Sequence, residues 1–152
     1  MEYDLVEDKL IIPFYSGNAL ISLINEKLSY FSIGDQHFRY IDADKTASVL
    51  PRSGIYEEIY HKGSTSLLAR REKKLIFPSN KDEQPHYSQQ NTYFLQLNNL
   101  YFSANGEYEL LDALKNKKDA LKQYIRKNNI RYKKNLETAL IRTTDYYQQI
   151  SH

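Results

Sequence analysis

The feature that most constrains this chain is a change of period at Glu107. Upstream, apolar residues recur at every second position, in short runs separated by turn-forming residues; downstream they recur every third or fourth. Alternation puts successive side chains on opposite faces of a strand, whereas the longer period builds one face of a helix. The chain is therefore predicted to be a single α+β domain over residues 1–152. An antiparallel β-meander of short strands occupies about 1–104, and two or three helices occupy about 107–150. At 152 residues such a chain can bury ~70% of its unfolded surface around one core.

Within the first part, "KLIIPFY" (9–15) predicts a strand that Pro13 holds to an edge or a bulge. After a turn at "SGN" (16–18), strands follow at "ALISLI" (19–24), "LSYFSI" (28–33) and "HFRYID" (37–42), with turns at "NEK" and "GDQ". The clearest hairpin joins "GIYEEIYH" to "TSLLARREKKLIF" through "KGS" (62–64), with Gly63 in the left-handed position. Alternation in the return strand puts Leu67, Ala69, Arg71 and Lys73 on one face and Leu68, Arg70, Glu72 and Lys74 on the other. Neither face of "RREKK" is apolar, so the strand is expected to leave the core there. "PSNKDEQPHYSQQN" (78–91) is polar and non-periodic and predicts a loop. A last hairpin turns at Asn98-Asn99 between "TYFLQL" and "LYFSA".

In the second part, Leu110, Leu111, Leu114, Leu121 and Ile125 form one helical stripe, and Leu136, Ala139, Leu140, Tyr147 and Ile150 form another. Asn116 followed by Asp119 predicts a capping box and a break near Asn116. Asn128-Asn129 ends that helical stretch, "IRYKK" (130–134) crosses in extended form, and Asn135 caps the last helix.

Constellations that carry chemistry are sparse. The five glycines stand alone in turns, so no phosphate-cradling loop can be assembled. His37, His61, His86 and His152 lack metal-ligand spacing. His37 and His61 could face each other across strands, but solvated strand histidines explain them better. With no cysteine there is no disulfide, thiolate metal site or thiol nucleophile. Glu57 and Glu58 point to opposite faces, and Glu107, Glu109 and Asp112 suit the first turns of a helix, where negative charge is favoured. No G-x-S-x-G elbow is present. The expectation is a protein that is not an enzyme, with no catalytic residue, metal or cofactor. The 14 tyrosines, against 6 phenylalanines and no tryptophan, are read as a core rim with wet hydroxyls in preference to a stacking or sugar-binding surface.

Charge is distributed unevenly. Residues 115–134 hold nine Lys or Arg and one acid, a net +8, so the rest of the chain sums to −6 beneath a total of +2. Lys115, Lys118, Lys122, Tyr124, Arg126, Arg131 and Tyr132 are the candidate anion or partner surface, since cations interleaved with aromatics suit phosphate and stacking contacts. Lys115, Lys122 and Arg126 are expected to share a helical face with Asp119. Arg70, Arg71, Lys73 and Lys74 are a second candidate patch. For both clusters the plainer reading, solvated stems and helix-end or strand-end cations, is preferred.

The order "DKLII…GN…L…LSYFSI…HFRYI", "GIYEEIYHKG…LLARREKK", "YFLQLNNLYF" and "LLDALKNKKDALKQYIRKNNIRYKK…E…LI…YY" resembles a group of small uncharacterised exported proteins of Bacteroidetes. The resemblance spans Asp8 to about Tyr147, and its order carries more weight than any single motif. It implies an envelope or periplasmic location behind a removed signal peptide, and no known activity; a native Met1 would instead imply the cytoplasm. No apolar run approaches the ~20 residues of a membrane helix. The leading expectation is a non-enzymatic envelope protein presenting a protein-binding or assembly surface, with a protein as partner. The alternative is a weak binder of polyanions, nucleic acid or anionic glycan, through 115–134.

Overall fold

The structure, a computed structural model, describes residues 1–17, 19–45, 49–50, 52–79 and 82–151. In chain order its strands are β1 (Glu2–Asp4), β2 (Lys9–Pro13), β3 (Leu20–Ser22), β4 (Tyr30–Ile33), β5 (Gln36–Ile41), β6 (Gly54–Lys62), β7 (Thr65–Ile76), β8 (His86–Leu97) and β9 (Leu100–Ser103). The helices α1 (Glu107–Ala113), α2 (Lys118–Lys127) and α3 (Leu136–Ile150) follow. The α+β class and the division between sheet and helices are as the change of period predicts.

Turn chemistry sets the registers. Gly63 lies at φ 60°, and Asn98 and Asn99 at 47° and 68°, so both hairpins turn with positive φ. Strands β4 to β9 pair antiparallel in sequence order, a true meander. Strands β1, β2 and β3 depart from it and form a separate three-stranded sheet, and β1 was not anticipated from the sequence. The turn expected at "NEK" is a short 3-10 helix, Asn25–Lys27. Part of two expected loops, Asn18 and residues 80–81, lies outside the described residues, as does His152.

Alternation in β7 and β8 divides the core between two faces. Leu67, Ala69, Tyr93 and Leu95 meet Leu110, Leu114, Leu121, Ile125 and Leu140 from the helices. Leu68 and Phe94 turn the other way, into a smaller cluster with Ile41, Leu50 and Tyr56. Both helical stripes read from the sequence lie against the first cluster.

Five local expectations need correction. Residues 86–91 belong to β8: the register runs Ile76↔His86 to Arg71↔Asn91. These residues are exposed throughout, so neither face carries an apolar pattern and only backbone pairing defines the strand. The helix break near Asn116 is real, but Lys117 precedes α2 with no side-chain cap, and the Asn116 side chain instead donates to the Tyr147 hydroxyl at 3.4 Å. Residues 131–134 form a turn rather than an extended crossing, with the Lys134 and Asn135 amides donating to the Arg131 carbonyl. Fourth, the tyrosine hydroxyls are not simply wet. Tyr56 donates to the Arg52 carbonyl, Tyr60 to Asp145, Tyr93 to Glu137 and Tyr132 to Thr143. Two of these, from Tyr60 and Tyr93, tie the sheet to α3. Last, Arg70 is no solvated strand end; its side chain is 2% exposed.

The reason lies in how the sheet divides. Pairing of β6 with β7 stops at Glu57↔Ala69, and pairing of β8 with β9 stops at Phe94↔Ser103. Beyond those points β7 and β8 continue as a two-stranded ribbon. The turn between β1 and β2 enters the opening between β6 and β7, where the Leu5 carbonyl accepts the Lys73 amide at 3.1 Å. Arg70 closes the gap. It donates to the Ile55 carbonyl at 2.7 Å and grips both Asp8 carboxylate oxygens, at 2.6 and 3.1 Å.

Candidate anion-binding surface

The connection from α2 to α3 is pinned from within. Asn128 ends α2, its amide and side chain both donating to the Tyr124 carbonyl, and Asn129 takes the left-handed conformation at φ 51°. The Ile130 amide returns to the Ile125 carbonyl at 3.0 Å, and the Ile130 side chain is buried. Tyr132 is buried as well, its hydroxyl 2.7 Å from Thr143; burial pushes that phenol up to about 12. Asn135 caps α3 by accepting the Thr138 amide at 3.0 Å. With Ile130 and Tyr132 held inward, Arg131, Lys133 and Lys134 are left exposed.

Three cations from this turn and from α3 border one cavity of about 550 Å³: Arg131, Lys134 and Arg142, with Asn129, Asn135 and Thr138 supplying polar groups and no carboxylate on its lining. A second cavity, of about 450 Å³, lies between the two helices and is lined by Tyr124, Lys127, Asn128 and Tyr146, among others. Here the Tyr124 and Tyr146 rings stack with centroids 3.9 Å apart and planes 6° from parallel. A third, of about 330 Å³, lies where α1 meets α2; Lys118 and Lys122 line it beside Tyr108, with the Lys118 ammonium 5.8 Å from that ring's centroid.

The residues singled out from the sequence thus divide. Arg131 and Tyr124 line the two cavities along α2 and α3, and Lys118 and Lys122 line the third. Lys115 sits in a 3-10 turn, Lys115–Lys117, ahead of α2, so it does not continue the α2 face that carries Lys122. Arg126 is exposed and borders none of these three cavities. Tyr132 is a core residue, a correction to its place in the surface: its aromatic ring serves packing. Arg142, Lys134, Lys127 and Tyr146 were not singled out, although Thr138, Arg142 and Tyr146 follow an i, i+4 spacing that puts them on one face of the last helix.

The second cluster is split by the sheet. Arg71 lies on the helix face, donating to Glu57 at 2.6 Å and to Glu137 at 2.9 Å. Burial opposes the Arg71 charge, but these two carboxylates outweigh it and raise its pKa. Arg70 is held by Asp8 as described, and Lys73 and Lys74 alone are exposed. His37 and His61 have separate partners: His37 contacts Ser32 and His61 contacts Ser66. Among the described residues, no three His, Asp or Glu are grouped to hold a metal.

The ion pairs separate the two halves of the chain. Arg39, Arg52, Arg70 and Arg71, the arginines of the sheet half, each pair with a carboxylate. Among the described residues, none of the nine cations between Lys115 and Lys134, nor Arg142, forms an ion pair. No family model, curated protein or solved structure matches the chain. No helix of the described residues is long and apolar enough to cross a membrane.

Proposed function

We propose that this is a non-enzymatic binding protein of the cell envelope whose helical half docks a polyanion. The observation that carries the reading is the contrast in pairing: sheet arginines neutralise carboxylates within the fold, while, among the described residues, the nine cations of 115–134 and Arg142 of α3 form no ion pair. Cations not neutralised by a carboxylate make a positive field that attracts acidic polymers. Binding to such a surface releases counterions, so affinity falls steeply with salt, with a slope of ~0.9 per duplex phosphate contacted. The test is titration of a labelled heparin fragment and a labelled DNA duplex at several salt concentrations. Binding should weaken as salt rises and be reduced by Lys122→Glu with Arg126→Glu, while Lys73→Glu with Lys74→Glu has less effect. Equal losses from the two pairs, or no binding at low salt, would refute it.

A second reading, docking of a protein, rests on the end of the β7–β8 ribbon. Leu75, Ile76, Phe77 and Tyr87 are all exposed there, and exposed aromatics make good interface anchors. Phe77→Ser with Tyr87→Ser should abolish capture of an envelope partner while leaving polyanion affinity unchanged.

A further inference from the structure

We infer that the seam between α2 and α3 takes a single strand of nucleic acid, with a phosphate among Arg131, Lys134 and Arg142 and a base against the stacked Tyr124–Tyr146 pair. The inference rests on the polyanion reading and names the ligand and its place. The two cavities have neighbouring residues on both walls of the seam. Asn128 lines one and Asn129 the other, while Arg142 and Tyr146 are one helical turn apart on α3. Four residues of helix rise ~6 Å, so a phosphate at Arg142 leaves its neighbouring nucleotide beside Tyr146.

The chemistry of each cavity favours this ligand over other polyanions. The first presents two guanidinium groups, whose planar forks match phosphate oxygens in pairs, and no carboxylate to repel them. Arg131 is oriented by its Nε contact to Asn129 at 3.3 Å, which leaves its terminal nitrogens for a ligand. The second cavity offers two parallel rings, half-buried and lining the space, with Lys127 beside them. A stacked aromatic pair adds little for a sulfated sugar or an acidic peptide, whereas every base has a face to set against it. Bases in a duplex are already stacked on each other, so the ligand is single-stranded.

The experiment is fluorescence anisotropy with labelled oligothymidylate on the full chain, set beside a duplex of equal length and a heparin fragment, with thermal melts of every variant. Arg131→Ala with Arg142→Ala should weaken oligothymidylate at least tenfold. Tyr146→Leu should weaken it about fivefold or more, leave heparin unchanged, and be rescued in Tyr146→Phe, which keeps the ring. Heparin and duplex binding as tightly as the oligomer, with Tyr146→Leu neutral, would overturn this inference and leave the polyanion reading standing. Binding of none of the three would overturn both. If Tyr146→Leu melts early, the Arg131 and Arg142 variant and Tyr146→Phe decide: an oligomer affinity unmoved by the first, or lowered by the second, refutes the assignment.

Discussion

Arg70 and Arg71 are neighbours in β7, yet they secure opposite faces of the sheet. Arg70 holds Asp8 of the N-terminal turn, and Arg71 holds Glu137 in the first turn of α3. A strand's alternation makes this division automatic. The dipeptide therefore fastens both flanking layers to the central sheet, and its charges are consumed in doing so.

Removing one partner of the Arg70–Asp8 pair should be costly. In Asp8→Ala the guanidinium stays buried with its principal carboxylate gone, and breaking such a pair costs ~3–5 kcal/mol. Urea denaturation of Asp8→Ala, Arg70→Met and the double variant should show strong coupling, with the double variant more stable than the two single losses summed. Additive losses would mean that the two side chains act independently.

Gly54 should resist any side chain. It sits at φ +156°, and a Cβ there would lie 2.4 Å from an Arg70 nitrogen and 2.6 Å from an Asp8 oxygen. Those atoms are the tips of side chains, but each is pinned by the other. Gly54→Ala should cost about 1–3 kcal/mol from backbone strain alone, and less in total when Arg70 is already Met. Chemical denaturation of the single and double variants measures this.

Glu137 accepts from Arg71 and from the Tyr93 hydroxyl, at 2.9 and 3.0 Å. Glu137→Leu leaves both donors short of a partner, at about 1–3 kcal/mol. Amide hydrogen exchange should quicken first at the start of α3.

Alkaline pH should unfold the protein through its phenols. Burial, with Asp145 as a hydrogen-bond acceptor, raises Tyr60 to about 12, and burial does the same for Tyr132. Burial also raises Tyr3 and Tyr93, beside Asp8 and Glu137. A phenol raised in the folded state binds its proton more tightly there than in the unfolded chain, where its pKa is ~10. Its contribution is thus full below pH ~10 and is lost as pH climbs through the folded values. Phenolate absorbance from these four residues should appear together with loss of near-ultraviolet circular dichroism; its appearance in a chain that remains folded would refute the coupling.

Truncation after Asn105 should leave an insoluble fragment, because Leu67, Ala69 and Leu95 lose the helices that cover them. A soluble, cooperatively melting fragment would show the helices to be an appendage.

The elements legible in the sequence were those in which local pattern and tertiary burial agree. Leu67 and Leu68 face two different cores, Gly63 and Asn98-Asn99 turn as their chemistry requires, and Asn135 caps α3. The misread elements were set by distant partners. "RREKK" looks solvated because a sequence does not display that Asp8 and Glu137 will come to Arg70 and Arg71. "HYSQQN" looks like a loop because a ribbon exposed on both faces carries no burial pattern. At the candidate surface, the cations of 115–134 were evident from charge alone. Tyr132 was misplaced because a turn, rather than a strand, presents it to Thr143. Arg142 and Tyr146 were overlooked because they lie outside the basic run, although helical spacing aligns them.

The two arginine clasps join positions 62 and 66 residues apart, one reaching back along the chain and the other forward. On a ribosome, where the chain appears from its first residue, the Asp8 clasp can close as soon as the β6–β7 hairpin has emerged. The Glu137 clasp must wait until the first turn of α3 has emerged as well. The helix-facing side of the hairpin is bare through that interval, with Leu67 and Ala69 uncovered. Closing either loop costs nearly the same entropy, since that cost grows only logarithmically with length. What separates the two events is delivery, and the nascent chain is most prone to association between them.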